Sequence, residues 1–243
     1  MKKISILVST IMVLLIFVPM VHSEKEKSMN DYVMQIVKSF PLDGTYKYSW
    51  PKKSEGKDPY DGVTQDIYYQ GEKIMRGDGN KDSYCCGLTL EIYLKAVNKY
   101  NLSNESKKEA VEHSPAQYVI MNPIKGLDTT NFSNFKYLWF CPNFNSEGPG
   151  EALTSYGMGT IVKDWNQAEA GDFIQLWRWN KSGHSAIFIN WVKDSTGNIT
   201  GFKYWSSQGQ GIGYRTEYFG DSGRSVDRKR FFLARLTEPD TWK

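Results

Sequence analysis

The sequence predicts an α+β domain, with helices gathered early and an antiparallel sheet following them. Apolar residues recur at helical spacing from Met29 to Phe40, and again after Asp82. From Gly171 onward, short β-rich runs alternate with turns built from Gly, Asn, Asp and Ser. No linker or shift of composition separates two cores, so residues 24–243 read as a single domain.

Residues 1–23 have the pattern of a secretory signal peptide. Lys2 and Lys3 precede an apolar run from Ile4 to Val18. Pro19 breaks that run, and Val21-His22-Ser23 offers a cleavage site after Ser23. The run is 15 residues long, short of the roughly 20 that a bilayer span requires. No second apolar run of membrane length follows, and no cysteine near the cut offers a lipid attachment point. The expected location is therefore secreted or periplasmic, in the cell envelope, with no membrane span after signal cleavage.

The remaining elements follow in order. Met29, Val33, Ile36, Val37 and Phe40 form one helical face that closes before Pro41. Pro51 to Gly62 reads as loop, and Val63 to Met75 as one short strand or ordered loop before the Gly77-Asp78-Gly79-Asn80 turn. Leu90, Tyr93, Leu94 and Val97 share the face of a helix that Asp82 or Ser83 can cap. A polar helix is expected over Ser103 to Glu112. Asn122 to Gly159 reads as loop-rich, weakly patterned around Phe135 to Phe140. Strands are expected over Gly171 to Trp179, His184 to Val192, Ile199 to Ser206 and Arg230 to Leu236.

Composition removes several function classes. Thirty Lys plus Arg against 27 Asp plus Glu leave a net charge of +3 with no basic cluster, which excludes a strongly basic nucleic-acid binder. The apolar fraction of 40% excludes a disordered chain. Three cysteines are too few for a disulfide scaffold. The cysteines and histidines show no metal-ligand spacing, and Gly209-Gln210-Gly211-Ile212-Gly213 is followed by no helix signal of a phosphate loop, so no metal or cofactor is expected. Trp165, Trp177, Trp179, Trp191 and Trp205 crowd the sheet region, where packing is the expected role of most of them and stacking on sugar rings the alternative.

The chemistry rests on cysteine and histidine. In an oxidising compartment thiols tend to pair, and Cys85, Cys86 and Cys141 leave one over. Cys85 and Cys86 stand at the start of a helix, whose dipole favours a thiolate. Of the histidines, His22 leaves with the leader and His113 sits on a charged stretch. His184 opens an apolar strand directly after a Gly turn. A helix-start cysteine and a strand-start histidine are the two parts of a thiol nucleophile. The turn before the third strand centres near Thr196, which sets His184 opposite Gln208, with Ser206 and Ser207 one or two residues away in register. Asn190, six residues along the same strand, is about 20 Å away and out of reach.

Cys-x-Gly-Leu at Cys85 to Leu88, Ala170-Gly171-Asp172-Phe173 entering a strand, and Gly183-His184-Ser185-Ala186-Ile187-Phe188 occur here in that order. The set resembles the NlpC-type cell-wall peptidases and their CHAP relatives, within the papain-like cysteine peptidase superfamily. The resemblance runs from Tyr84 to Gln208. It departs from the family in Tyr84, where Asp is usual, in the second thiol at Cys86, and in a long insert between motifs. It implies a papain-like fold, Cys85 as nucleophile, His184 as its base and Gln208 as the group orienting the imidazole. With Cys85 as nucleophile, Cys86 faces the interior, and a bond to Cys141 would leave Cys85 as the odd free thiol. Backbone N–H groups at the helix start would form the oxyanion hole; Tyr84 either adds a hydroxyl or packs as a core aromatic. The implied activity is cleavage of amide bonds, with peptidoglycan or another peptide as substrate. The alternatives are an amidase or acyl-transfer enzyme on a non-wall substrate, and a non-catalytic binding domain on the same fold.

Overall fold

The computed structural model describes residues 27–50, 60–104 and 117–242. The leader with its cut after Ser23, His113, and most of the polar helix expected over Ser103 to Glu112 lie outside those residues. The described chain is a mixed α+β structure with four α-helices and two sheets. The helices are α1 (Met29–Ser39), α2 (Cys85–Asn104), α3 (Phe132–Trp139) and α4 (Pro149–Ser155). The strands are β1 (Asp66–Tyr69), β2 (Glu72–Met75), β3 (Gln117–Ile120), β4 (Gly159–Ile161), β5 (Phe173–Arg178), β6 (Gly183–Lys193), β7 (Ile199–Gln208), β8 (Gly211–Tyr218) and β9 (Val226–Leu236).

The main sheet runs β4-β9-β5-β6-β7-β8, antiparallel at every pairing. A smaller sheet, β2-β1-β3, was not expected. It forms because Gln70 and Gly71 take positive φ and fold β1 back on β2, and β3 then adds in parallel on the other edge. Four more elements escape the sequence reading. The segment read as loop-rich holds α3 and α4, whose first residues have no side-chain cap to announce them. The short β4 pairs with β9, and the Gly-rich run at Gly211 to Gly213 opens β8 rather than a loop.

Helix α1 starts with a capping box. Ser28 Oγ accepts from Asp31 N at 3.3 Å, and Asp31 Oδ2 accepts from Ser28 N at 2.9 Å. Its Val33 and Val37 are buried in the core shared with α2. Helix α2 is buried nearly all round: Leu88, Leu90, Ile92, Tyr93, Leu94, Ala96 and Val97 are inaccessible. Even its Glu91 is inside, accepting from Thr64 N and Thr64 Oγ1 at 2.7 Å each and from Lys95 Nζ at 2.6 Å.

Alternation splits the main sheet between two cores. Phe173, Ile187, Trp205 and Ala234 face the helices. Ile174, Leu176, Ala186, Phe188, Phe202, Tyr204, Phe231 and Leu233 form a second cluster on the opposite face, where Trp165, Trp191 and Phe219 pack on it. Trp165 stacks between Trp191 at 5.1 Å and Phe219 at 5.2 Å. Most of these tryptophans thus do pack; Trp179 is the exposed one.

At the entry to β5, Asp172 is fully buried and paired on every side. It accepts from Arg235 Nε at 2.8 Å, Arg235 Nη2 at 2.9 Å, Asn30 Nδ2 at 2.9 Å and Glu169 N at 2.8 Å. One carboxylate therefore joins α1, β9 and the β5 turn. Gly171 beside it has φ +103°, and an added Cβ would stand 2.9 Å from Asn30 atoms.

Candidate active site

Cys85 is the first residue of α2, half-buried at the helix end. The first N–H groups of a helix have no carbonyl partner within it, so this end carries partial positive charge. Tyr84, rather than the expected Asp82 or Ser83, stands at the cap of the helix, its carbonyl accepting from Leu88 N at 2.9 Å. The Ser83 hydroxyl instead donates to Ser207 Oγ at 3.0 Å, and Ser207 Oγ donates to the Ser83 carbonyl at 3.1 Å. The start of α2 is thus pinned to β7. Gly87 allows the close seating: a Cβ there would lie 2.1 Å from the Asp61 carbonyl oxygen and 2.5 Å from Gly62 C.

His184 is buried at the start of β6. Cys85 and His184 both line one cavity of about 430 Å³. Its other walls are Cys86, Gln175, Trp177, Gly183, Ser185, Tyr48, Trp50, Phe140 and Cys141. The structure therefore brings together the nucleophile and base expected from sequence.

The expected third residue is corrected. His184 Nε2 lies 2.8 Å from Ser206 Oγ, whereas the Gln208 side chain lies 3.3 Å from the Tyr204 hydroxyl, whose proton goes to Glu217. Near the site the register is the expected one, with Ile187 opposite Trp205 and Phe188 opposite Tyr204, while irregularities shift it by one residue between Phe188 and Asn190 and again between Val192 and Lys193. Gln208 and Ser206 share a face of β7, and the imidazole reaches Ser206 instead of Gln208, the residue that the turn geometry sets opposite it. With Nε2 on the serine, Nδ1 is the nitrogen left to exchange a proton with Cys85. Successive residues of β7 thus hold both halves of the site. Ser206 holds His184 from one face, and Ser207 holds the start of α2 from the other.

The electrostatics separate the thiols. A hydrogen bond from the Cys86 thiol, the charge and hydrogen bond of His184, and the Ser185 N–H hold the Cys85 thiol well below the ordinary range, against the cost of its desolvation. Cys86 is pushed well above that range by the same shared hydrogen bond and by burial. Burial first, and then the charge of Cys85, push Cys141 up. All three are free thiols, so the bond between Cys86 and Cys141 is absent.

A second charged pair backs the imidazole. Burial disfavours the Glu217 carboxylate, but Arg178 holds it below the usual range through Nε at 2.9 Å and Nη2 at 2.5 Å, helped by the Tyr204 hydroxyl at 2.6 Å. The Tyr204 ring meets the His184 ring edge-on at 5.7 Å. Arg178 and Glu217 therefore form a compensated ion pair behind the contact between the His184 and Tyr204 rings.

Tyr84 packs as an aromatic. Its ring contacts Trp50, Tyr60 and Phe140, and its hydroxyl donates to the Tyr60 carbonyl at 3.3 Å. Gln175 was not singled out from sequence. It is buried opposite Ser185 and accepts from the Ser185 hydroxyl at 2.6 Å. Only the β5–β6 register shows this pairing, and a lone glutamine in an apolar strand gives no local signal of it. Among the described residues, no group of three or more His, Cys, Asp or Glu is arranged to hold a metal ion, and no helix is long and apolar enough to cross a membrane.

No protein-family model, curated protein or solved structure matches the chain.

Proposed function

We propose that the protein is an exported cysteine hydrolase that cleaves amide bonds in peptidoglycan peptides, on a papain-like arrangement of the NlpC and CHAP type. The observation that carries the reading is the meeting of Cys85 and His184 in one cavity, with the thiol held low and the imidazole fixed by Ser206. The Cys85 thiolate attacks the amide carbonyl, and the oxyanion is met by N–H groups at the start of α2. His184 gives its proton to the leaving amine, which departs and leaves a thioester on Cys85. His184 then takes a proton from water, whose oxygen attacks the thioester. The acid leaves and the thiolate returns. Glu217 and Arg178 add a fixed charge pair beside the imidazolium without touching the reacting atoms.

The test is release of new amino groups from purified cell wall by the mature protein, compared in Ser206→Ala and Gln208→Ala. Ser206→Ala is expected to lower kcat/KM about tenfold or more, because the ring loses its orienting partner. Gln208→Ala is expected to stay within about twofold. Absence of new amino groups from wall or wall peptides would overturn the substrate reading, and the reverse order of the two variants would restore Gln208 as the orienting residue.

A further inference from the structure

The cavity beside Cys85 is walled by rings. Tyr48, Trp50 and Phe140 stand on the helix side and Trp177 on the sheet side, with Gln175 and Ser185 as the polar groups between them. Gly183 lets the Trp177 ring lie over the start of β6: a Cβ at that position would fall 2.8 Å from the ring. Trp177 Nε1 donates to the Ser146 carbonyl at 3.0 Å, and its ring meets Phe144 edge-on at 5.0 Å, so the wall is fixed from behind. On the opposite side, Trp50 rests on Tyr84 at 4.8 Å and is more than half exposed at the mouth.

Among the described residues that line the cavity, none is Asp, Glu, Lys or Arg. The Ser185 hydroxyl donates to Gln175 Oε1 at 2.6 Å and Gln175 Nε2 donates to the Leu176 carbonyl at 3.2 Å, so the polar groups of the floor are engaged within the protein. Of the charges next to it, Glu217 is compensated by Arg178, and in the proposed mechanism the Cys85 thiolate is compensated by His184. A carboxylate entering this space would lose its hydration, would find the one neighbouring cation of the proposed mechanism, His184, already paired, and would meet the Cys85 thiolate. A cation would exchange its hydration for ring faces while His184 carries the same sign. An uncharged apolar group loses nothing and buries its surface. A volume of about 430 Å³ is of ligand size.

We infer that the cavity receives an uncharged, apolar side group next to the carbonyl attacked by Cys85, and that an acidic group is refused there. The assignment rests on the thiol-hydrolase reading and narrows its substrate class to amides bearing a neutral apolar residue at this position. Acidic residues of a wall peptide would have to lie outside the cavity.

Four alkylating probes test it without any turnover: chloroacetamide and its N-benzyl, N-carboxymethyl and N-(2-trimethylammonioethyl) forms. In each, Cys85 sulfur bonds to the methylene carbon and chloride leaves, so one reaction is compared across four side groups. Rates are read by peptide mapping of Cys85, Cys86 and Cys141 in the full mature protein. The benzyl probe is expected to label Cys85 about tenfold or more faster than the carboxymethyl and trimethylammonio probes. In Trp50→Ala, the ratio of benzyl to parent rate is expected to fall several-fold. Equal rates across the four probes, or preference for a charged one, would overturn the inference and leave the thiol reading standing. Failure of every probe to label Cys85 faster than Cys86 and Cys141 would overturn the thiol reading beneath it.

Discussion

Under the proposed function, Cys85→Ala is expected to abolish hydrolysis, while Cys86→Ala is expected to retain it. The expected loss for Cys85 is a thousandfold or more, roughly the scale on which removing a nucleophile acts when the rest of its machinery is intact. The two thiols are chain neighbours in one turn of α2, yet their surroundings are opposite. Cys85 has the imidazole and the Ser185 N–H, whereas Cys86 is buried in the core and held protonated by its neighbour. Cys86→Ala also removes the first hydrogen bond that lowers the Cys85 thiol, so a modest loss at acidic pH is expected from it. Rates on a released-amine assay, with circular dichroism to show that both variants fold, separate the two. Loss of activity in Cys86→Ala with activity kept in Cys85→Ala would reverse the assignment.

The largest expected effect on stability lies away from the site. Asp172→Ala should destabilise the fold by about 3–5 kcal/mol, because it leaves a guanidinium without its buried partner. Asp172 is inaccessible and joins Arg235, Asn30 and the Glu169 N–H, so its loss also frees the attachment of α1 to the sheet. The midpoint of denaturant unfolding measures the change. A loss under about 1 kcal/mol, the scale of an exposed ion pair, would mean that the buried bonds do not hold these elements together. The Gly-Asp turn, carried in the sequence reading as a motif, has this structural role.

What the sequence disclosed and what it hid divide along physical lines. Helix α2 was legible because Leu90, Tyr93, Leu94 and Val97 repeat at the helical period. The strand starting at His184 was legible because a Gly turn precedes an apolar run. The pairing of β6 with β7 followed from a single tight turn at Thr196, and the observed Ile187–Trp205 register agrees. The partner of His184 was not legible to the residue. Register fixes which residues share a face, but a side chain's choice between the opposite and the diagonal neighbour depends on rotamer and reach. Ser206 and Gln208 share a face, so only coordinates separate them. Helices α3 and α4 are short, lack capping side chains and rest on tertiary contacts such as Phe135 with Tyr93 of α2 at 5.3 Å, which no local pattern carries. The β8 strand hid behind Gly211 and Gly213. Gly211 accommodates the Tyr46 carbonyl, 2.4 Å from where its Cβ would stand, so that glycine marks a close backbone approach inside a strand.

The central claim is that Cys85 and His184 form an ion pair. It is tested most directly by the pH dependence of Cys85 alkylation by iodoacetamide in the native protein and in His184→Ala. A thiol whose acidity is strengthened in the fold stays ionised below its unfolded range and loses its charge only as pH falls further. The native protein is therefore predicted to label at Cys85 well below the ordinary thiol midpoint of about 8.5, with the rate falling only at acidic pH. In His184→Ala the midpoint should rise by at least one unit or so, and Cys86 and Cys141 should stay slow at neutral pH in both proteins. The same midpoint in native protein and His184→Ala, or a Cys85 that titrates like an ordinary thiol, would contradict the account.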